Sequence, residues 1–234
     1  MRKFILPILV VLATTTSALA EKPVKVAIAN MLDSSMTHVY GNRFYATSFQ
    51  KDVFDYGKYT VEQLELMLEA SGMEMVEVEA PLYVNKMAFY NFFGAPSQQI
   101  KAWLSALDHN LDADFLIVIN RKFAPDDDLS YRFLQKKEYG LATYLNYPDA
   151  LSFFSFVGYH IFSVKTMKEL HLNINHDQYV LIDMRLDNRM TYDEVKEVPE
   201  KYLDLAVDKM INIVDTRNVE IKRRLLEHLN KGGR

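Results

Sequence analysis

The stretch Phe115-Leu116-Ile117-Val118-Ile119 constrains this chain more than any other. Five apolar residues in a row cannot alternate between a core face and a wet face, so they predict a buried central strand. The residues before it sharpen the reading. Ile100, Trp103, Leu104, Leu107 and Leu111 recur at spacings of three and four, an apolar stripe on a helix opened by Pro96-Ser97. Asp112-Ala113-Asp114 ends that helix, and the apolar run starts at once. A helix feeding directly into a buried strand belongs to a layered fold of sheet and helix.

The rest of the chain repeats the alternation. Val24 to Met31 reads as a first strand. Residues 32–59 are polar and aromatic and read mostly as loop. Thr60-Val61-Glu62-Gln63 is a capping box, after which Leu64, Met67 and Leu68 share a helix face until Gly72. Met73 to Glu79 alternates as a strand with one wet face. From Tyr139 the texture turns to β. Leu151 to Val164 reads as one strand, Lys165–Lys168 as a turn, and Glu169 to Ile174 as its partner. Gln178 to Leu186 is a further strand. Pro199 then precedes an amphipathic helix carrying Tyr202, Leu205, Ala206, Met210, Ile213 and Val214, a face that Ile221, Leu225 and Leu229 continue unless Asp215–Asn218 breaks it. The order β-α-β-α-β-β-β-α predicts an α/β (α+β) fold: a single mixed β-sheet with helices packed mainly on one face.

The N-terminus reads as an address. Met1-Arg2-Lys3 is a positive n-region, Phe4 to Ala13 is apolar apart from Pro7, and Ala18-Leu19-Ala20 is a small-residue cleavage site. Residues 1–20 therefore read as a signal peptide and 21–234 as a single α/β domain, cleaved between Ala20 and Glu21. The residue after the cut is not cysteine, so a bacterial lipid anchor is not expected. No later segment approaches the ~18 apolar residues of a membrane span. The chain has no cysteine and no Asn-x-Ser/Thr acceptor, a combination suited to a soluble bacterial periplasmic protein. Losing Arg2 and Lys3 from 27 basic residues against 31 acidic ones moves the net charge from −4 to −6, which gives no electrostatic case for nucleic acid.

Three passages carry a resemblance. Val24–Asn30, the Leu111-Asp112-Ala113-Asp114 passage into the apolar strand, and Gly158 to Leu170 resemble the opening strand, the helix-to-strand passage and the hairpin of the CsgG-type and TolB N-terminal-like periplasmic α/β domain. Asp112, Ser163 and Met167 stand where that group usually has glycine, aspartate and a turn glycine. The resemblance implies a non-enzymatic envelope protein that binds other proteins, and it supplies no catalytic residue.

Other constellations point to chemistry. Ser34 follows the first strand and Asn120 ends the central one, a placement that resembles the first blocks of SGNH-type serine hydrolases. Leu32 replaces the glycine of their Gly-Asp-Ser, and Leu225 stands where an aspartate should precede His228. His171, His176 and Asp177 would converge on a metal if a hairpin turned near Asn175. Asp126, Asp127 and Asp128 read as a solvated turn. No glycine-rich phosphate loop is present, and no cofactor is expected.

Two aromatic clusters remain. Tyr83, Phe89, Tyr90, Phe92 and Phe93 form one; Phe153, Phe154 and Phe156, with Tyr159 and Phe162, form the other. Aromatics on both faces of a strand that helices cover on one face only would leave some exposed, and exposed aromatics mark contact surfaces. The expectation is an exported, soluble, non-enzymatic periplasmic protein that binds envelope proteins through these clusters. A secreted serine hydrolase using Ser34 and a metal-binding protein using His171 and His176 are the alternatives.

Overall fold

A computed structural model describes residues 22–41, 46–79, 98–108, 110–121, 137–144, 150–170, 180–185, 198 and 200–232. In chain order the elements are β1 (Val24–Asn30), β2 (Met36–Gly41), β3 (Ala46–Lys51), α1 (Tyr56–Glu69), β4 (Met73–Glu77), α2 (Gln98–Asp108), β5 (Phe115–Arg121), β6 (Tyr139–Tyr144), β7 (Ala150–Ser155), β8 (Val157–Ser163), β9 (Lys168–Leu170), β10 (Val180–Arg185) and α3 (Glu200–Asn230). The mixed α+β class is as expected. The strands, however, form two five-stranded sheets, not one.

Sheet one has the order β4-β1-β5-β8-β9. β4, β1 and β5 run parallel, and β8 and β9 are antiparallel additions. Both faces of its centre are covered, with α1 and α3 on one side and α2 on the other. Val26, Ile28, Ile117 and Ile119 pack with Leu64 and Leu68 of α1 and with Val214, Ile221 and Leu225 of α3. The alternate residues Ala27, Ala29, Leu116 and Val118 pack with Ile100, Trp103 and Leu104 of α2. The unbroken run in β5 is the sequence signature of that double covering. Each of its fully buried large side chains contributes about 1.5–3 kcal/mol.

Sheet two has the order β10-β7-β6-β2-β3. β2 and β3 come from residues read as loop. Their pairing buries Thr37, His38, Val39 and Tyr40, and the His38 ring bonds the Thr143 hydroxyl at 3.0 Å. Polar side chains satisfied inside a sheet leave no apolar alternation to read. The run Leu151–Val164 is likewise two strands. It crosses from sheet two to sheet one at Phe156, whose N–H donates to the Glu138 carbonyl at 2.6 Å. The hairpin after β8 is present as expected.

One helix boundary differs from the sequence reading, and an open one is decided. α1 starts a turn early because Asp55 is its N-cap and accepts from the Lys58 N–H at 2.8 Å. α3 runs straight through Asp215–Asn218, because Asn218 takes a place in the apolar stripe and donates to the Thr60 carbonyl at 3.2 Å. The course of α3 relates the two sheets. Arg217 reaches the Val157 carbonyl, level with the end of β5, and the His228 ring lies 5.7 Å from that of Phe115 at its start. Glu200 to Val214 therefore extends past the strand ends, beside sheet two. A helix of 31 residues is about 46 Å long, twice the reach of a seven-residue strand.

Candidate functional site

Polar side chains gather where the parallel strands of sheet one end. β1 connects through α1 to β4 on one side of it, and β4 returns through α2 to β5 on the other. The two helices lie on opposite faces, so the connections diverge between the carboxyl ends of β1 and β5. In open α/β sheets that divergence is where ligands bind.

The turn after β1 is held from several directions. The Asn30 side chain accepts from the Leu32 N–H at 3.1 Å and lies so close to Gly57 that a Cβ there would strike it. The Met31 N–H donates to the Ile119 carbonyl at 2.8 Å. The Asp33 N–H donates to the Glu138 carboxylate at 2.7 Å, and the Ser35 hydroxyl donates to Asp52 at 2.6 Å. The Tyr139 hydroxyl donates to the Asp33 carbonyl at 2.9 Å. Burial lifts the Glu138 carboxyl to about 7; the charge of Asp33 adds to the rise, while the Asp33 N–H and Arg121 oppose it. Burial likewise pushes the Tyr139 phenol upward.

Asn120, next to last in β5, is fully buried, and neither polar atom of its amide has a hydrogen-bond partner among the described residues. It alternates with Ile119, so it shares the α2 face with Leu116 and Val118. The neighbouring Arg121 has a buried Nε, also without a partner.

On the opposite face two tyrosines flank an arginine, and a third packs on one of them. Arg217 Nη1 donates to the Tyr56 hydroxyl at 3.1 Å and to the Val157 carbonyl at 2.9 Å. Its guanidinium carbon lies 5.4 Å from the centre of the Tyr159 ring. The Tyr159 hydroxyl donates to that of Tyr56 at 3.4 Å, and the rings of Tyr56 and Tyr139 are 5.2 Å apart. Burial, then the neighbouring Tyr56, holds the Tyr159 phenol well above its ordinary range, so it stays neutral.

The structure separates the residues singled out from sequence. Ser34 is exposed at the tip of the turn after β1. The described histidines are engaged elsewhere: His38 with Thr143, His160 with Glu169 at 2.8 Å, and His228 against Phe115. Among the described residues no histidine bonds Ser34. Asn120 is at the same strand ends but wholly enclosed. Phe153, Phe154 and Phe156 are 0%, 0% and 2% exposed, so the expectation that this cluster offers a contact surface is corrected. Both faces of β7 are covered; Phe153 joins the main core, and the rings of Phe154 and Phe156 are 5.5 Å apart. Tyr159 and Phe162 are buried as well.

Tyr83, Phe89, Tyr90, Phe92 and Phe93 lie outside the described residues, as do Asp126–Asp128, His171, His176, Asp177 and the whole of residues 1–20. Among the described residues no three His, Cys, Asp or Glu side chains are grouped to hold a metal ion, and no helix is long and apolar enough to cross a membrane. Sequence reasoning missed Glu138, Tyr139, Tyr56 and Arg217. One signal pointed to the last of these: Asn218, adjacent to it, stands four residues after Val214, where the stripe calls for an apolar side chain.

No family model matches the chain, and no curated protein matches it. Among solved structures, the lipoprotein GNA1162 from Neisseria meningitidis is similar at 11% identity, over 81% of this chain and 99% of that one, with a TM-score of 0.31. A superposition that loose carries no argument about fold or function.

Proposed function

We propose that the protein is an exported, non-catalytic envelope protein of the bacterial periplasm that binds other proteins, with the aromatic segment 81–93 as its contact. The observation that carries this reading is where the segment attaches. It leaves the chain after β4, an edge strand of sheet one among the described residues, and rejoins it at α2. β4 runs parallel to β1 and β5, so it ends on the side of the sheet where Asp33, Ser34 and Glu138 gather. Five aromatics between Tyr83 and Phe93 are the composition of an interface anchor. Edge strands, in turn, are where extended partners add to a sheet. The resemblance to the CsgG-type and TolB N-terminal-like domain points the same way, and the signal-peptide pattern before Glu21 supplies the location.

The test has two arms. Protein recovered from the periplasm is expected to begin at Glu21 by mass spectrometry; an intact leader would remove the address. Tyr90→Ser and Phe92→Ser are expected to abolish partner capture from envelope extract, with Leu66→Ser, on an exposed face of α1, as the control. Equal capture by all three would remove the surface.

A further inference from the structure

Among the described residues β4 is an edge strand of sheet one, and its outer side is open. The Val78 N–H donates to the Ile28 carbonyl at 2.8 Å, so the backbone groups of Val76 and Val78 turn toward β1. Those of Met75 and Glu77 turn away from it. Among the described residues nothing bonds them. Met75 is half-buried and Glu77 exposed, so solvent reaches this edge. A strand edge with its donors and acceptors unpaired is a template for another extended chain.

The charge around this edge is of one sign. From Tyr59 to Asn85 the chain has six glutamates and no lysine or arginine. Glu77 lies on the α1 face of the strand with Met73 and Met75, and Glu65 and Glu69 are exposed on α1 itself. Acids elsewhere are neutralised within the protein: Asp112 has Lys22 and Lys25, and Glu220 has Arg223 and Arg224. Here Lys58 reaches Glu62 at 3.9 Å, and Lys25 stands opposite Glu74 in the register. Among the described residues no cation pairs with Glu65, Glu69, Glu77 or Glu79. On the α2 face the half-buried Val76 and Val78 set an apolar strip beside the same edge.

We propose that the outer edge of β4 receives an extended segment of a partner polypeptide carrying lysine or arginine on alternate residues. Its backbone pairs with Met75 and Glu77. Its cations face Glu65, Glu69 and Glu77, and its intervening apolar side chains cover Val76 and Val78. A second copy of this chain is disfavoured, because it would set glutamate against glutamate across the new pair. Nucleic acid is repelled by the same charge. This inference rests on the binding reading for there being a protein partner, and it adds the chemistry of that partner. It makes no use of the aromatic segment 81–93, so the two fail separately.

The probe is a short peptide alternating lysine and valine, titrated into the mature protein and followed through the Met75 and Glu77 amide resonances by NMR. Saturable shifts and slowed exchange of these two amides are expected, both weakening as salt is added. The triple variant Glu65→Gln, Glu69→Gln, Glu77→Gln alters exposed side chains only and should bind the peptide roughly five-fold more weakly, or worse, at low salt. A peptide with proline for each valine keeps the charge and cannot pair, and it should also lose roughly five-fold or more. A peptide with glutamate for each lysine should not bind. Equal binding by the triple variant or by the proline peptide overturns the proposal. So does a parent protein whose Met75 and Glu77 amides are already protected by self-association, since the edge then belongs to a second copy.

Discussion

A change of pH near neutrality reaches this protein through Glu138. Its carboxyl titrates near 7 in the folded chain and at its ordinary, lower value when unfolded. Between those values the folded chain holds a proton that the unfolded chain has released, so stability falls as pH rises through that window. Above 7 the cost of a partly buried carboxylate is present in full. Glu138→Gln removes the charge and keeps an oxygen for the Asp33 N–H. The variant is expected to be more stable than the parent at pH 8 by roughly 1–2 kcal/mol, after discounting for partial exposure, and nearly equal to it at pH 5. Urea denaturation at the two pH values checks this; an equal difference at both would contradict it. At this scale the sequence placed Ser34 and Asn120 correctly at strand ends, because strand ends follow from hydropathy. It was silent on Glu138, Tyr139 and Arg217. Their importance comes from contacts across roughly a hundred positions, such as Asp33 to Glu138, and no local pattern records those.

Elements were legible where burial produced a period. β1, β4, β5, α1, α2, β9 and α3 were all visible in outline. β2 and β3 were not, since their buried positions include Thr37 and His38. The break at Phe156 was hidden because apolar residues continue through it. The turn after β8 is more instructive. Met167 stands where the resembled hairpin usually has glycine, and it adopts φ 48°, the left-handed conformation that glycine favours. Met167→Val, branched at Cβ, is therefore expected to lower stability by about 1–2 kcal/mol, whereas Met167→Gly should stay within about 1 kcal/mol of the parent. Thermal melts of the two variants test the order; Val tolerated better than Gly would refute it. A stronger effect is expected where β6 meets β2. Gly140 has φ 150°, and a Cβ there would run into the Thr37 carbonyl. Gly140→Ala should cost about 3 kcal/mol or more and reduce the yield of folded protein.

The whole molecule is tied together by α3. Its stripe from Tyr202 to Leu225 belongs to a core that includes Leu141, Leu151 and Phe153 of sheet two and Val26, Ile117 and Ile119 of sheet one. The two sheets are expected to unfold as one unit. The chain has a single tryptophan, Trp103, which is 4% exposed and packed on the α2 face of sheet one. Its fluorescence reports that layer alone, while far-ultraviolet circular dichroism reports both sheets. Coincident urea transitions are expected, and separated ones would show that the sheets unfold independently. The sequence led to the right class and the wrong number of sheets, because an element order does not record which strands pair. β7 and β8 are neighbours in the chain and belong to different sheets.

β1 begins at Val24, and the second of the two helices that cover one of its faces begins at Glu200. During synthesis that face has only α1 on it until nearly all of the chain has left the ribosome. A nascent chain halted before Glu200 has strands, α1 and α2, but Val26, Ile28, Ile117 and Ile119 lack the part of their cover that α3 supplies. Non-local closure of this kind is slow. The core shared by the two sheets thus closes only when the last element of the chain has been made.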